Sequence, residues 1–126
     1  MDFQMFPSLP AADLGRAQQW YETTFGVKPN QDMSDENVLI YLDGDTGFMV
    51  YLSEFAGTNK ATAAGVAVKD FDGAVAHLRS KGVTFEEFET EMMVFEDGIA
   101  TGSDGRKAAW FKDSEGNILA LSEDPR

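Results

Sequence analysis

Apolar and polar positions along this chain follow two periods, and each period predicts one kind of element. Apolar residues recur at helical spacing after Asp13 and again after Asp70, which predicts two amphipathic helices with an aspartate at each N-cap. Alternation of apolar and polar residues, bounded by turn-forming residues, predicts strands before, between and after the helices. The predicted strands are residues 3–10, 27–31, 37–42, 47–53, 62–68, 83–88, 107–112 and 117–122.

The ends of these elements carry turn signals of their own. We expect the first helix to end at about Thr24, before Gly26, and the second to end at Gly82, because glycine readily takes the left-handed conformation that closes a helix. The run Asp-Gly-Asp-Thr at 43–46 predicts a hairpin turn. Residues 89–105 are expected to be one long irregular segment, of the kind that often has a function.

The two halves of the chain repeat one pattern. A shift of 57 positions aligns Asp13 with Asp70, and it also aligns the apolar faces of the two predicted helices. We interpret each half as a βαβββ module. The modules are expected at about 1–56 and 61–126, joined by a linker at 55–61, within a single domain, since 126 residues is near the commonest domain size.

Net charge and the counts of cysteine and histidine exclude several classes of partner and site. The formal net charge is −12 at pH 7, which disfavours a nucleic-acid partner. We interpret it as a solvated acidic surface that aids solubility, with attraction of a cationic ligand as the alternative. The chain has no cysteine, so it has no disulfide or thiolate metal site, and His77 is the single histidine that acid–base chemistry would have to use. No apolar run is long enough to span a membrane and no secretory leader is visible, so we expect a cytoplasmic protein without a membrane partner.

Both ends of the chain carry motifs of a known superfamily. Residues 110–123, WFKDSEGNILALSE, form a predicted hairpin with the pattern DxxGNxLxL, and residues 13–26, DLGRAQQWYETTFG, match the helix pattern DLxRAxxFYxxxLG. In these motifs the chain resembles the glyoxalase/bleomycin-resistance/extradiol-dioxygenase superfamily over residues 3–123. The resemblance implies an α+β fold of two tandem βαβββ modules, whose curved mixed sheet forms a cup. It also implies a homodimer in which two chains complete each other's cups.

The metal-ligand positions of that superfamily hold unusual residues here. In its metal-using members, four strands each supply a carboxylate or imidazole ligand inside the cup. The resemblance places these positions at Phe6, Tyr51, Ala64 and Ala120. Their side chains lack the carboxylate, imidazole or thiolate groups that divalent metals prefer in proteins. We therefore expect neither a metal nor another cofactor at that place.

An apolar and aromatic lining replaces the metal ligands in this interpretation. Strand alternation directs every second side chain toward the cup. The alanines leave space, and the aromatic rings offer faces on which a flat ligand stacks; filling of the cup by these same side chains is the alternative. The predicted ligand-binding residues are Phe6, Ser8, Met49, Tyr51, Ala64, Val66, Trp110 and Ala120.

Two functional hypotheses follow. The first is a metal-free protein that binds, and so sequesters, a planar or cationic small molecule. The second is a metal-dependent lyase or isomerase that uses displaced carboxylates such as Glu54, Glu87 or Asp97. An enzyme that works without metal has no visible pair of nucleophile and base to support it.

Structural interpretations account for the other conspicuous polar residues. We interpret the acidic run at 86–91 as a solvated strand edge, with reception of a cationic ligand group as the alternative. His77 is expected to be a structural or surface residue, and Arg16 to face solvent. The polar residues of the last hairpin are expected to form its turn and not a metal site; they are Asp113, Glu115 and Asn117.

Overall fold

Within residues 1–125, which the computed structural model describes, the chain forms eight strands and two helices in two units. The first unit contains residues 1–63 together with 113–117, and the second contains residues 64–112 together with the described residues from Ile118 onward. Helices and sheets are both present, so the chain is α+β, as predicted. No helix in this part of the chain is long and apolar enough to cross a membrane.

The first unit has a three-stranded mixed sheet with one helix packed on it. Its elements are β1 (Ser8–Ala11), α1 (Leu14–Phe25), β2 (Val38–Asp43) and β3 (Thr46–Leu52). The strand order is β1-β3-β2, with β1 parallel and β2 antiparallel to β3. Helix α1 packs on β2 and β3. The apolar side chains buried in this unit are Leu9, Ala11, Ala17, Tyr21, Leu39, Tyr41 and Val50.

The second sheet has five strands and packs against the second helix. Its elements are β4 (Thr62–Val68), α2 (Phe71–Ser80), β5 (Met93–Glu96), β6 (Ile99–Gly102), β7 (Lys107–Lys112) and β8 (Ile118–Glu123). The strand order is β4-β8-β7-β6-β5, and α2 packs on β8. The larger apolar side chains buried in this unit are Phe71, Val75, Leu78, Phe111, Leu119 and Leu121.

The two helices begin as the sequence predicts. The side chain of Asp13 accepts a hydrogen bond from the Arg16 amide at 3.0 Å, and that of Asp70 accepts one from the Gly73 amide at 3.0 Å. Each bond satisfies an amide that the first turn of a helix leaves without a partner. Gly26 ends α1 in a left-handed conformation, with φ 70°. The predicted N-caps and the end of α1 at Gly26 are therefore confirmed, and the helices begin 57 positions apart, at residues 14 and 71. Helix α2 ends at Ser80, two positions before the predicted Gly82.

Two predicted strands of the first half are wrong in whole or in part. The strand expected at 3–10 is reduced to Ser8–Ala11, and Phe3 is 83% exposed and Met5 94% exposed. Alternating hydrophobicity alone does not make a strand where no neighbouring strand supplies hydrogen bonds. No strand forms at 27–31; Asn30 donates one backbone hydrogen bond to Ile40, and the chain then turns.

The segment before β7 also differs from its prediction. Residues 83–88 do not form a strand, and they pair with β7 only through a bridge between Glu86 and Trp110. The irregular segment expected at 89–105 contains the antiparallel hairpin of β5 and β6. Its turn is Asp97-Gly98, with φ 53° and 79°, which is the conformation that a two-residue hairpin turn favours. This dipeptide was the local signal that the prediction overlooked.

Candidate ligand-binding site

The two faces of the second sheet have different environments. Ala109, Phe111, Leu119 and Leu121 are buried on the face that packs against α2. Successive side chains of a strand point to opposite faces, so Trp110 lies on the other face. Trp110 and Ala120 are direct partners in the pairing of β7 with β8, and they therefore share that face. Both side chains are half-buried.

Three aromatic rings meet on this outer face of the second sheet. The ring centroid of Phe88 lies 5.0 Å from that of Trp110 and 4.9 Å from that of Phe95, both in edge-to-face orientation. Phe95 and Trp110 are 6.1 Å apart. Phe88 is 46% exposed, so the cluster offers ring surface to solvent. We call Phe88, Phe95 and Trp110 the aromatic cluster.

Small side chains surround the aromatic cluster within the sheet. Phe95 is paired with Ala100 and Ala100 with Ala108, so these three residues lie in one row on the same face as Trp110. Ala120 occupies the next row, beside Trp110. Ala108 and Ala120 are half-buried, whereas Ala100 is 1% exposed and therefore covered by its neighbours.

One carboxylate of the acidic run lies on the face of the aromatic cluster. The backbone of Glu86 bridges that of Trp110, and directly paired residues share a face. Its carboxylate oxygen is 3.4 Å from the ammonium of Lys112, and both side chains are partly exposed. The rest of the run is placed differently: Glu87 accepts a hydrogen bond from the Gly98 amide at 2.6 Å, and Glu89 and Glu91 are exposed.

The predicted site residues of the first unit lie together on its sheet. Ser8 is paired with Met49, and Tyr51 lies two positions further along β3, so these three side chains share the face opposite the buried Val50. The Phe6 ring lies so close to Gly47 that a β-carbon at Gly47 would be 3.3 Å from it. Phe6 and Tyr51 are exposed, and Met49 is half-buried.

The two remaining predicted residues lie on β4, the neighbour of β8 in the second sheet. Ala64 and Val66 share one face of this strand and are half-buried. Gly65, between them, is exposed. The second sheet thus carries Ala64, Val66, Trp110 and Ala120, together with Phe88 and Phe95, which the sequence analysis did not name as site residues.

The four residues that the resemblance assigns to metal-ligand positions do not offer a donor set that fits a divalent metal. Phe6, Tyr51, Ala64 and Ala120 offer one phenol and no carboxylate or imidazole, whereas Mg²⁺, Zn²⁺ and similar ions require several such donors. Among residues 1–125, no three carboxylates or imidazoles lie close enough together to hold an ion. Arg79 pairs with Asp97 and donates to its carbonyl oxygen, so this candidate ligand already has a cationic partner.

The turn between β7 and β8 belongs to the first unit and is densely hydrogen-bonded. The buried Asp113 carboxylate accepts bonds from the Tyr21 hydroxyl at 2.5 Å, the Glu115 amide at 2.8 Å, and both the amide and side chain of Asn117 at 2.9 Å. The Asn117 side chain also donates to the Pro10 carbonyl oxygen at 2.9 Å. These polar groups are thus engaged in the fold, in agreement with their interpretation as turn residues.

Glu115 of the same turn binds the start of α1. Its carboxylate accepts hydrogen bonds from the amides of Ala12 and Asp13 and from two nitrogens of Arg16, at 2.8 to 3.0 Å. The Arg16 guanidinium is the largest cause that lowers the pKa of Glu115 to about 2, and the Ser114 hydroxyl adds to it. The sequence analysis expected Arg16 to face solvent; its side chain is 55% exposed, but the prediction missed this ion pair.

Each unit packs one helix on a sheet, and this arrangement defines an α+β protein. The chain belongs to the Glyoxalase/Bleomycin resistance protein/Dioxygenase superfamily, whose family model matches residues 5–121. The resemblance and the fold class predicted from the sequence are thereby confirmed. No curated protein sequence matches this chain.

Solved structures of low sequence identity share the fold. A glyoxalase/bleomycin resistance protein from Catenulispora acidiphila is 21% identical, with a TM-score of 0.68 over 98% of this chain and 100% of its own. A bleomycin-binding protein complexed with bleomycin is 17% identical, with a TM-score of 0.72 over 98% and 99% of the two chains. A lactoylglutathione lyase from Agrobacterium tumefaciens is 14% identical, with a TM-score of 0.72 over 98% and 94%. Binding proteins and enzymes thus share this scaffold, so the fold alone does not assign an activity.

Proposed function

We propose that this protein is a metal-free small-molecule-binding protein that sequesters a planar, cationic compound. The observation that carries the proposal is the aromatic cluster beside Ala120, Ala108 and Ala100 on the outer face of the second sheet. An aromatic ring stacked on such a cluster gains about 0.5–1.5 kcal/mol beyond the burial of its surface. Ala108 and Ala120 are half-buried and have short side chains, so a ligand can approach the rings beside them.

The position of Glu86 supports the cationic part of the proposal. Glu86 lies on the same sheet face as Trp110. Its carboxylate forms an ion pair with the ammonium of Lys112 at 3.4 Å. An exposed pair of this kind contributes little stability, about 0–1 kcal/mol, so a ligand cation can take the place of Lys112 at low cost. A ligand cation over the ring face of Trp110 adds about 0.5–1 kcal/mol to the binding free energy. The net charge of −12 attracts such ligands over longer distances.

The donor set supports the metal-free part of the proposal. The usual ligand positions offer no carboxylate or imidazole, and the displaced carboxylates considered in the sequence analysis have other environments. Glu87 is bonded to Gly98 and Asp97 to Arg79, while Glu54 lies in an exposed turn of the first unit. The bleomycin-binding relative, complexed with bleomycin, supports small-molecule binding as a function that this scaffold performs.

We propose the second-unit members of the predicted set as ligand contacts and add three residues from the structure. Phe88, Phe95 and Glu86 join the second-unit members Ala64, Val66, Trp110 and Ala120. The contribution of the first-unit members is tested separately, by replacing Tyr51 with Ala, because they lie on a different sheet. These first-unit residues are Phe6, Ser8, Met49 and Tyr51.

The decisive experiment places a large side chain beside Trp110. Fluorescence titration with a planar cationic dye such as proflavine, followed through Trp20 and Trp110, should show saturable binding to the wild type. Ala120→Phe should abolish that binding while costing at most about 1–3 kcal/mol of stability. The matched control is Ala76→Phe, on the exposed side of α2, which should bind like the wild type. Equal binding by Ala120→Phe and the wild type would contradict the proposed site.

We further propose that the protein is a homodimer. Phe3 and Met5 are exposed just before β1, which is the first strand in the order of its sheet. Apolar side chains next to the end of a sheet favour association with another chain. Light scattering at micromolar concentration should give twice the mass of one chain. A variant with Phe3→Ser and Met5→Ser should shift toward the monomer, and a wild-type monomer mass would contradict the proposal.

A further inference from the structure

The hairpin of β5 and β6 is held at its tip by two charged side chains from the segment 79–87. The Glu87 carboxylate accepts a hydrogen bond from the Gly98 amide at 2.6 Å. Arg79, near the end of α2, donates to the Asp97 carbonyl oxygen at 2.5 Å and lies 3.5 Å from the Asp97 carboxylate. We call these four residues the tip clasp.

Packing around the tip clasp leaves little freedom for the turn. A β-carbon on Gly98 would lie 2.8 Å from Cβ of Phe85, and Gly98 has φ 79°. Only glycine therefore fits there without displacing Phe85. The Arg79 guanidinium lies over the Phe85 ring, 5.5 Å from its centroid, and Phe85 makes an edge-to-face contact with the buried Phe111. The tip is thus anchored to the half-buried Phe85 ring, which contacts the buried Phe111.

The same hairpin carries one ring of the aromatic cluster. Phe95 lies on β5, two positions before Asp97, and is paired with Ala100 of β6. The segment that supplies Glu87 also supplies Phe88, the ring nearest to Phe95. The hydrogen bond between Glu87 and Gly98 therefore links the segment that carries Phe88 to the hairpin that carries Phe95.

We propose that Arg79 and Glu87 are positioning residues for ligand binding: the tip clasp fixes the β5–β6 hairpin, and thereby sets the distance of Phe95 from Phe88 and Trp110. This inference rests on the proposed function of the aromatic cluster. In this proposal, Arg79 and Glu87 act through the hairpin and not through contact with the ligand. A preorganised ring surface binds more tightly, because the ligand does not have to order the hairpin when it binds.

The first test measures the clasp without any ligand. Amide hydrogen exchange reports local opening of a segment. In Glu87→Gln and in Arg79→Met, the amides of residues 93–102 should exchange about tenfold faster than in the wild type, since a hydrogen bond to a charged group is lost or weakened. Exchange in α1 should not change. The control is Glu89→Gln, an exposed residue of the same acidic run, which should exchange like the wild type. Unchanged exchange in both clasp variants would overturn the clasp.

The second test asks whether the clasp acts through Phe95. Proflavine affinity should fall about five- to tenfold in Glu87→Gln. In a Phe95→Leu background, the same substitution should have almost no further effect, because the ring that the clasp positions is gone. A purely structural role of Glu87 would give the same loss in both backgrounds and would overturn the positioning role. Arg79→Met should also lower the affinity for proflavine, and Arg79→Lys, which keeps the charge, should recover part of that loss.

The two tests separate this inference from the function on which it rests. If the wild type binds neither proflavine nor other planar dyes, the proposed function is wrong and the positioning role falls with it, while the exchange data still decide whether the clasp exists. If the wild type binds dye and Glu87→Gln binds it equally well despite faster exchange, the proposed function stands and only the positioning role is wrong.

Discussion

The turn and the strands of the stretch 110–123 have different roles. In the turn, Asp113, Glu115 and Asn117 are buried and form hydrogen bonds with residues 10–21 of the first unit. In the flanking strands, Trp110 and Ala120 sit side by side on the outer face of the second sheet. The polar residues of the turn therefore stabilise the first unit, and the apolar residues of the strands form the surface that we propose for the ligand.

The polar groups of the turn are engaged in hydrogen bonds within the first unit. The function then depends on what the neighbouring strand positions hold. Substitutions in the turn should consequently change stability, whereas substitutions on the outer face should change binding.

The largest effect is expected for Asp113→Ala. The substitution removes an acceptor of four hydrogen bonds and takes away the acceptor of the buried Tyr21 hydroxyl and of the Glu115 and Asn117 amides. The free energy of unfolding should fall by about 3–5 kcal/mol, measured by urea unfolding. Dye affinity per folded molecule should stay at the wild-type value. The control is Asp45→Ala in the exposed turn before β3, with an effect within about 0.5 kcal/mol; a loss below about 1 kcal/mol in Asp113→Ala would break the comparison.

Unfolding at low pH should reveal how much Glu115 contributes to the free energy of unfolding. Its folded-state pKa of about 2 lies below the ordinary value of 4.5, so the unfolded chain binds the proton more readily. The stabilisation is complete above pH 4.5 and is lost as the pH falls from there through 2, by about 2–3 kcal/mol in total. Urea unfolding from pH 6 to pH 2 measures this loss. Glu115→Gln should lack that part of the pH dependence, and parallel curves for the variant and the wild type would show that Glu115 does not cause it.

Two tyrosines of the first unit should respond in opposite ways to loss of the hydroxyl. Burial raises the pKa of Tyr41 to about 12, and in residues 1–125 its hydroxyl is the buried side-chain group without a hydrogen-bond partner. Tyr41→Phe should therefore be neutral or stabilise by up to about 1 kcal/mol, whereas Tyr21→Phe should cost about 1.5–3 kcal/mol because it leaves Asp113 one donor short. Thermal unfolding of both variants checks this, and an equal loss would show that Tyr41 has a partner in solution.

Divalent metals should have no effect on stability. After dialysis against nickel, zinc, manganese or iron, the protein should retain well under one ion per chain and keep its melting temperature, because an ion that bound the folded state would raise it. Elemental analysis and thermal unfolding provide the measurements. Retention of one ion per chain that disappears in Glu87→Ala or Asp97→Ala would instead support the metal-dependent alternative and place the chemistry in the second unit.

Local signals in the sequence determined much of the secondary structure. The capping aspartates, the glycine after α1 and the hairpin turn at 43–46 act over a few residues, and the elements that they bound form where expected. The turn Asp97-Gly98 carried a signal of the same kind and was overlooked. The absent strand at 27–31 shows the limit of such signals, since a strand requires hydrogen bonds from a neighbour that local pattern does not reveal.

The tertiary structure decided which residues meet. Arg16 and Glu115 are 99 positions apart, and Tyr21 and Asp113 are 92 apart, so no local period connects them. Strand alternation sufficed to place Trp110 and Ala120 on one face of their hairpin. It did not reveal that Phe88 joins them, because the bridge between Glu86 and Trp110 brings in a segment that is not a strand. Alternation acts within a strand, whereas the choice of neighbours depends on the packing of the whole unit.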